Sequence, residues 1–575
     1  MPDVSQPDPT KPLIVHADRT LMLETFNDLA EPARAAIAPF VELEKSPEYL
    51  HTYRISPLSL WNATSAGFTA EQMLRALQSF AKFPLPQNVV TDIKELSGRW
   101  GRLRLLGEEG RLVLRVDPAD ASLLLELGSH DHVRPLLGER LGEHVTQVPL
   151  ANRGSLKQAL LALGWPVQDL AGYQAGEALD ISLAKHLDVR PYQEAAAQAF
   201  YRAGSSEGGS GVVVLPPGSG KTVVGMAAMS LVGQRTLVLT TNRTSTGQWQ
   251  RELLAKTSLQ PEQVVEYGSR TKGIGAVTLC TYQMLTTRKR GAEPGAQGEY
   301  PHMQLFRDHQ WGLVIYDEVH MLPAPVFRLT AELQALRRLG LTATLIREDG
   351  REGDVFSLIG PKRYDGAWRE LERDGWIASV HCTEVRLALD DAGRRDYALT
   401  DPRLRFRLAA ENPRKLSLMR RIRQLHAGEP TLIIGVYLSQ LKQIAAALDV
   451  PLVTGETPQE RRDALFDDFR AGRIRTLVLS KVGNFALDLP DASVMIQVSG
   501  TFGSRQEEAQ RMGRLLRPKA PGQGAQFYSL VTRETDEETF AHNRQRFLTE
   551  QGYTYRIMSE DEWLDPQPPR LELLN

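Results

Sequence analysis

The sequence predicts an α/β protein in which two parallel-sheet lobes follow small mixed α+β domains. From residue 186 onward, short runs rich in valine, isoleucine and leucine alternate with helical patterns. Because these runs are apolar on both faces, they indicate buried parallel strands. The alternation breaks around residues 360–375 and then resumes, which indicates two lobes in tandem. The strand candidates are VVVL 212–215, TLVLT 236–240, VTLC 277–280, LVIY 313–316, LGLTA 339–343, TLIIG 431–435, TLVLS 476–480, VMIQV 494–498 and QFYSL 526–530.

The composition is that of a globular protein with several domains. The 575 residues are 42% hydrophobic and 24% charged, which excludes a disordered or fibrous chain. With a net charge of −2, any binding of nucleic acid must rely on local positive charge. The two cysteines, Cys280 and Cys382, make neither a zinc cluster nor a disulfide framework. Since the sequence also shows no secretory signal and no membrane span, we predict a cytoplasmic protein that binds no membrane.

Helix signals near the start of the chain predict an accessory domain. Ser56 with Pro57 begins one helix, Thr69 and Gln72 form a capping box for a second, and a third follows a proline-rich turn. The alternating run at 101–116 predicts a β-hairpin. Three helices and a hairpin suggest a winged-helix-like module that either binds DNA or serves as a packed adaptor. Helix pairs are more often core than readers of DNA, which favours the adaptor.

The first strand of the first lobe runs directly into LPPGSGKT at 215–222. Leucine replaces the first glycine of the strict Walker pattern, but the relaxed pattern is intact. Gly218 and Gly220 let the backbone wrap around phosphates, Lys221 reaches the β- and γ-phosphates, and Thr222 can bind Mg²⁺. The alternative is a plain glycine loop. Strand, loop and Lys-Thr pair together favour binding of ATP.

The pentapeptide YDEVH at 316–320 ends another apolar strand. Adjacent carboxylates at a strand end suit a metal–water pair, in which Asp317 holds Mg²⁺ and Glu318 positions the attacking water. His320 would couple this site to neighbouring elements. The tetrapeptide alone is weak evidence, but on its own strand after a phosphate-binding loop it strongly indicates nucleotide hydrolysis.

The segment QRMGRLLRPK at 510–519 concentrates positive charge on one helical face. Gln510, Arg514 and Arg517 lie at positions i, i+4 and i+7, and Gly513 interrupts them although glycine is a poor helix former. A solvated arginine surface is the alternative interpretation. The order of motifs along the chain decides between the two.

That order is RPYQ at 190–193, the phosphate-binding loop, DEVH, TATL at 342–345, and QRMGRLLR at the end of the second lobe. It resembles the superfamily-2 helicases and translocases, whose two lobes are RecA-like. The resemblance implies that Arg190 and Gln193 read the adenine and that Thr342 and Thr344 link hydrolysis to DNA. It further implies that Arg514 and Arg517, with Gln510, reach across the cleft to ATP, where cations stabilise the charge of phosphoryl transfer. Hydrolysis would then require closure of the lobes.

Finer features are similar to the XPB-type (xeroderma pigmentosum group B) DNA repair helicases, above all their compact bacterial and archaeal forms. They are LTATLIREDG at 341–350, IGPKRYDGAW at 359–368 and the stretch from SKVGN to RLLRPK at 480–519. The resemblance implies that Arg347, Glu348 and Asp349 act in strand separation. It gives Asp488 a role at the ribose. The family often has cysteine and alanine where this chain has Pro217 and Ser219, and both changes spare the phosphate ligands, so Ser219 stays among the candidate ATP contacts.

The family also has a thumb-like insertion, for which residues 401–416 are the candidate. Its basic side chains are expected to face DNA, with a solvated basic surface as the alternative; they are Arg403, Arg405, Arg407, Arg414 and Lys415. The predicted domains are a tail at 1–11, a winged-helix-like domain at 12–120, a small damage-recognition-like domain at 121–185, lobe 1 at 186–365, lobe 2 at 366–555 with the thumb near 395–425, and a tail at 556–575.

Tracking a nucleic-acid backbone requires phosphate ligands along one path over both lobes. The candidates are Thr241, Arg243, Thr281, Tyr282, Gln283, Lys481 and Asn484. A threonine at a strand end is more often a helix cap, which is the alternative for Thr281. No base-reading motif is present, so we expect binding that does not depend on sequence.

These features predict an ATP- and Mg²⁺-dependent helicase or translocase that moves 3′ to 5′ on single-stranded or forked DNA, with a role in nucleotide excision repair. It would associate with the nucleoid when on DNA, and the N-terminal domains would dock a nuclease or another repair partner. The alternatives are a duplex translocase that does not separate strands, an RNA helicase, and a binding scaffold with a vestigial nucleotide site. The intact Lys221, Asp317, Glu318 and Arg514 argue against the scaffold.

Overall fold

The computed structural model describes residues 7–45, 49–269, 271–289, 300–306, 309–333, 336–343, 351–366, 368–480, 492–500, 515, 524–550 and 555–564. By their contacts the residues fall into two compact units, one made of 1–215 with 220–366 and the other of 367–575 with the short segment 216–219. Within the described ranges, no helix is both long enough and apolar enough to cross a membrane.

The first unit begins with a small α+β domain built on a four-stranded antiparallel sheet of order β1-β2-β4-β3. Two of its helices begin where the sequence predicts, after Ser56 and Thr69. Both starts have reciprocal side-chain caps, of which the sequence predicts the one at Thr69. Leu13, Met73 and Ile93 are among the residues of its apolar core. The elements are β1 (Leu13–Val15), β2 (Thr20–Glu24), α1 (Ala30–Ile37), β3 (Glu42–Lys45), β4 (Leu50–Arg54), α2 (Pro57–Ser65), α3 (Ala70–Phe80) and α4 (Gln87–Gly98).

The predicted hairpin is present, but it belongs to a second small domain. It pairs within a four-stranded sheet of order β7-β6-β5-β8, and Leu105 and Leu114 pack with Leu156 and Leu160 in a core of their own. The three helices and the hairpin therefore do not form one winged-helix core, because the apolar face of the hairpin is covered by other helices. The elements are β5 (Leu103–Glu108), β6 (Arg111–Val116), α5 (Ala121–Ser129), β7 (Val145–Gln147), α6 (Arg153–Ala162) and β8 (Val167–Asp169).

A cluster of buried charges lies within this second small domain, beside an arginine of the lobe that follows. Arg153 donates to both carboxylate oxygens of Asp169 at 3.0 and 2.6 Å, and Lys157 donates to one of them at 3.0 Å. Burial alone would raise the pKa of Asp169, but Lys157 and Arg153 hold it below its ordinary value. The guanidinium carbon of Arg338, which belongs to the lobe, lies 5.9 Å from the centre of the Tyr173 ring. The accessory domain is thus an integral part of the first unit.

The first lobe is a seven-stranded, fully parallel sheet of order β11-β12-β10-β13-β14-β9-β15. All the strands that the sequence predicts in this lobe are confirmed. The strands are β9 (Ser210–Val214), β10 (Thr236–Thr240), β11 (Val264–Tyr267), β12 (Val277–Thr281), β13 (Leu313–Asp317), β14 (Arg337–Thr342) and β15 (Lys362–Asp365). The helices are α7 (Pro191–Tyr201), α8 (Lys221–Val232), α9 (Arg243–Lys256), α10 (Tyr282–Leu285), α11 (Ala324–Glu332) and α12 (Glu352–Leu358).

The second lobe is likewise a seven-stranded parallel sheet, of order β18-β19-β17-β20-β21-β16-β22. Its last strand and last helix lie where the sequence predicts a tail. The strands are β16 (Val380–Leu387), β17 (Thr431–Ile434), β18 (Leu452–Val453), β19 (Thr476–Leu479), β20 (Val494–Gln497), β21 (Ala525–Thr532) and β22 (Tyr555–Ser559). The helices are α13 (Trp368–Arg373), α14 (Asp391–Leu399), α15 (Pro402–Ala410), α16 (Arg414–Leu425), α17 (Leu438–Leu448), α18 (Gln459–Arg470), α19 (Asp536–Glu550) and α20 (Glu560–Leu564).

Lys415, predicted to face DNA, is instead part of the core of the second lobe. Its ammonium group lies 2.7 and 2.8 Å from the two carboxylate oxygens of Glu537 and donates to the carbonyl of Val498 at 2.9 Å. Both charged side chains are only 1% exposed. The prediction is wrong because α16 turns this face inward. Of the other thumb candidates, Arg403 is exposed, while Arg405 donates to backbone carbonyls beside its own helix.

Removing the ammonium group at this buried pair is expected to destabilise the second lobe. Lys415→Met leaves the carboxylate of Glu537 buried without its counter-ion, which costs about 3–5 kcal/mol. The control is Arg470→Met, because the pair of Arg470 with Asp467 is 41% and 65% exposed and such pairs contribute at most about 1 kcal/mol. Urea unfolding followed by circular dichroism measures both, and equal losses would contradict the buried pair's importance.

Candidate active site

The candidate active-site segments meet at one edge of the first sheet. Strands β9, β10, β12, β13 and β14 are parallel neighbours, so their carboxyl ends lie side by side. The register pairs Thr342 with Val214 and Thr240 with Thr281. The phosphate-binding loop, DEVH and the first threonine of TATL, which are far apart in the sequence, are thereby brought together.

The phosphate-binding loop depends on two glycines. Gly218 and Gly220 have φ angles of 80° and 84°, a left-handed conformation that costs glycine little. A Cβ on Gly220 would also lie 2.5 Å from the side-chain nitrogen of Gln193. Ser219 is buried and its hydroxyl donates to the carbonyl of Pro216 at 2.6 Å, so this side chain shapes the loop. Helix α8 starts immediately afterwards, at Lys221.

The RPYQ segment lies against this loop. Gln193 is buried at the start of α7, and its side-chain oxygen accepts a hydrogen bond from the backbone N–H of Arg190 at 3.0 Å. The guanidinium of Arg190 donates to the hydroxyl of Tyr192 at 3.1 Å. The structure therefore puts Gln193 next to Gly220, while recognition of adenine by Arg190 and Gln193 stays a prediction.

The two acidic residues of DEVH face the lysine of the loop. The ammonium of Lys221 lies 3.5 Å from Oε1 of Glu318. Burial raises the pKa of Asp317 to about 6 and the charge of Glu318 adds to this effect, while a hydrogen bond from Trp249 and the charge of Lys221 oppose it. The positive charge near Asp317 is therefore too small to offset the effect of burial on its ionised form. Glu318 adopts a left-handed backbone conformation with φ 50°.

One carboxylate oxygen at this site lacks a hydrogen bond in the described part of the chain. Oε2 of Glu318 is buried and accepts no hydrogen bond from any residue of the described ranges. Since a buried acceptor without a partner is costly, its place in the structure calls for an explanation. A water molecule held for attack on a phosphate would supply the missing donor.

His320 joins the DEVH strand to the next strand of the sheet. Its Nδ1 lies 2.6 Å from the hydroxyl of Thr342 and 3.5 Å from Oε2 of Glu318. Both His320 and Thr342 are buried. The structure thus brings these two predicted coupling residues together, although the coupling itself stays a prediction. The remaining coupling and second-lobe candidates lie outside the described residues: Thr344, Arg347, Glu348, Asp349, Lys481, Asn484, Asp488, Gln510, Arg514 and Arg517.

Tyr282 is the one candidate DNA contact of the first lobe whose side chain the structure turns inward. It is buried, and its hydroxyl donates to the carbonyl of Asp317 at 2.9 Å, so its side chain bonds within the lobe and is not exposed for contact with DNA. Thr281 caps helix α10 by accepting from the N–H of Met284, which is the alternative weighed from the sequence. Thr241 is half-buried, and Arg243 and Gln283 are exposed.

Trp249 is a residue of the site that the sequence does not single out. It is buried, and its indole N–H donates to Oδ2 of Asp317 at 3.0 Å. A buried tryptophan needs an acceptor for its N–H, but that rule does not say which acceptor it finds. Only the packing of α9 against the sheet reveals the partner.

Comparisons with known proteins agree with this geometry. A profile described as the ERCC3/RAD25/XPB C-terminal helicase matches residues 371–571, and one described as the type III restriction enzyme, res subunit, matches residues 186–347. A third, described as a helicase conserved C-terminal domain, matches residues 13–142. The DNA 3′-5′ helicase XPB of Mycobacterium tuberculosis is 51% identical over 556 residues, which are 96% of this chain and 99% of that protein.

This chain belongs to the XPB family. The DNA 3′-5′ helicase XPB of Kineococcus radiotolerans is 52% identical, over 96% of this chain and 97% of that protein. The general transcription and DNA repair factor IIH helicase/translocase subunit XPB of Antonospora locustae is 34% identical, over 95% of this chain and 81% of that protein. XPB-family proteins are helicases that hydrolyse ATP.

Replacing Glu318 by glutamine is expected to stop hydrolysis in this XPB-family protein while nucleotide still binds. The amide keeps the shape of the side chain but cannot accept a proton from water, a loss that typically lowers the rate 10²–10⁴-fold. Phosphate release measures turnover, and a fluorescent ATP analogue measures binding. Glu252→Gln on the surface of α9, where Glu252 pairs with Lys256, is the control. Near-normal turnover in Glu318→Gln would contradict the assignment.

Proposed function

We propose that this protein is an ATP- and Mg²⁺-dependent DNA helicase that moves 3′ to 5′ and acts in nucleotide excision repair. The observation that carries the proposal is the cluster of Lys221, Asp317 and Glu318 at one sheet edge, where one carboxylate oxygen of Glu318 accepts no hydrogen bond from the described residues. The names of the two bacterial relatives support the polarity and the DNA substrate.

The residues present fit Mg²⁺ bound together with a nucleotide. In the described part of the chain, no group of three or more histidine, cysteine, aspartate or glutamate side chains could hold a metal ion alone. Mg²⁺ needs no such cage, because it is commonly held by one or two carboxylates, waters and substrate phosphates. The ion would be held by Thr222, at the start of α8, and by Asp317, whose ionised form has little positive charge around it. When bound, Mg²⁺ would neutralise charge on the phosphates.

The other residues would each do a separate part of hydrolysis. Lys221 would bind the β- and γ-phosphates from the start of α8, where the helix dipole favours negative charge. Glu318 would orient the attacking water through Oε2, which accepts no hydrogen bond from the described residues, and would accept its proton. His320 lies between Glu318 and Thr342, so it would transmit a change in the position or charge of Glu318 to Thr342. Arg514 and Arg517 would stabilise the charge that develops during transfer.

The DNA side of the proposal includes Thr241, Arg243, Thr281 and Gln283 as backbone contacts. Arg347, Glu348 and Asp349 would separate the strands, and Lys481 and Asn484 would hold DNA in the second lobe. We further propose that the protein works in the cytoplasm on nucleoid DNA, with a nuclease or repair partner on its N-terminal domains. The family resemblance supports this location and this kind of partner.

A second candidate function is translocation on duplex DNA without strand separation, since a eukaryotic relative carries both words, helicase and translocase, in its name. ATPase assays with single-stranded, forked and duplex DNA and with RNA, paired with strand displacement on 3′- and 5′-tailed substrates, decide the matter. We expect stimulation by single-stranded and forked DNA and displacement only from a 3′ tail. Duplex stimulation without displacement would establish the translocase, and stronger stimulation by RNA would overturn the DNA assignment.

Replacing Arg514 by alanine is expected to leave ATP binding intact and to lower turnover by about 10³–10⁵-fold, the usual effect of losing such an arginine. Phosphate release and binding of a fluorescent ATP analogue separate the two steps. Arg421→Ala, an exposed position on α16 of the second unit, is the matched control. Turnover near that of the control would remove Arg514 from the active site.

A further inference from the structure

Two aromatic side chains from different parts of the first lobe make hydrogen bonds to the same residue, Asp317. The indole N–H of Trp249, on α9, donates to Oδ2 at 3.0 Å. The hydroxyl of Tyr282, at the start of α10, donates to the backbone carbonyl at 2.9 Å. The carboxylate that would hold the metal is therefore fixed through both its side chain and its main chain.

The packing around Trp249 is built to hold its ring in this place. A Cβ on Gly225 of α8 would lie 2.5 Å from the ring of Trp249, so the absence of a side chain there makes the slot that the ring fills. Trp249 is 2% exposed. Any shift of α9 along the sheet must therefore carry the indole N–H with it and change the hydrogen bond to Asp317, which weakens steeply with poor alignment.

Both aromatic residues belong to helices whose first turns hold candidate DNA contacts. Helix α9 begins at the exposed Arg243, and its first turn is capped by Asn242, whose side chain accepts from the N–H of Ser245 at 3.0 Å. The exposed Gln283 follows Tyr282 directly in α10. A ligand that moved the start of either helix would therefore also move the aromatic side chain that bonds to Asp317.

We infer that Trp249 and Tyr282 are positioning residues that make the orientation of Asp317 depend on DNA bound at the starts of α9 and α10. The inference rests on the proposed function and deepens it, because it names the route by which DNA would stimulate ATP hydrolysis. Each aromatic side chain holds Asp317 through one hydrogen bond, Trp249 at the carboxylate and Tyr282 at the backbone carbonyl, and that bond can be removed without removing the ring.

Trp249→Phe and Tyr282→Phe test the route, because each keeps an aromatic ring and deletes only the hydrogen-bond donor. The first unit offers matched controls. Trp311 is buried and donates to the carbonyl of Leu305 at 2.7 Å. Tyr173 is half-buried, and its hydroxyl donates to the carbonyl of Gly208 at 2.9 Å. Trp311→Phe and Tyr173→Phe therefore delete comparable donors that do not bond to Asp317.

The first readout is the ratio of ATPase rates with and without single-stranded DNA. We expect this ratio to fall about tenfold in Trp249→Phe and Tyr282→Phe, as is typical for loss of a hydrogen bond to a charged group or its backbone. The KM for ATP and the Kd for DNA should stay close to wild type, which a merely unfolded lobe would not allow. The two control variants should keep the wild-type ratio.

The second readout is at equilibrium. If DNA and nucleotide are coupled through these residues, DNA changes the affinity for a non-hydrolysable ATP analogue with Mg²⁺ in the wild type, and nucleotide changes the affinity for DNA by the same factor. Fluorescence titrations with and without a single-stranded oligonucleotide should show this factor approaching one in Trp249→Phe and Tyr282→Phe.

A wild-type stimulation ratio and wild-type coupling in both variants would overturn the inference while leaving the proposed function intact. A loss of stimulation in the controls as large as in the test variants would also overturn it, because any buried donor would then matter equally. If DNA failed to stimulate the wild-type enzyme, the proposed function would fail first. Thermal melting of all four variants establishes that each is folded.

Discussion

The first lobe depends on one geometric constraint, the parallel register of its strands. Because all the strands run in the same direction, the loops that follow them emerge at one edge, and residues distant in the sequence become neighbours. Lys221 after β9 faces Glu318 after β13, and Thr342 at the end of β14 reaches His320. The chemistry of the site is therefore a property of the sheet edge and not of any single motif.

Burial gives that edge its electrostatic character. Asp317 and Glu318 are adjacent carboxylates in a poorly solvated place, and the nearby cation is Lys221 at 3.5 Å from Glu318. Such a site gains most from a ligand that brings positive charge and phosphate together, which is what a nucleotide with Mg²⁺ offers. The hydrogen bonds from Trp249 and Tyr282 then fix where the acidic pair points.

The sequence predicts this architecture well where strands are buried on both faces. Such strands read as unbroken apolar runs, and those predicted in both lobes are found. The sequence does not predict β11, β18 or β22. Strand β18 has only two residues, and β11 and β22 mix polar with apolar positions. The sequence also does not reveal in which direction a side chain points. Lys415 and Tyr282 have the right chemistry for DNA, but helix packing turns both of them inward.

The place of β22 has a practical consequence for anyone who shortens the chain. This strand pairs with β16 and forms the outer rim of the second sheet. A truncation ahead of Tyr555 would uncover a row of backbone N–H and C=O groups on β16, and an uncovered rim of that kind invites pairing with another molecule. The C-terminal strand thus serves as a guard against aggregation, and purification tags are better attached beyond it than in its place.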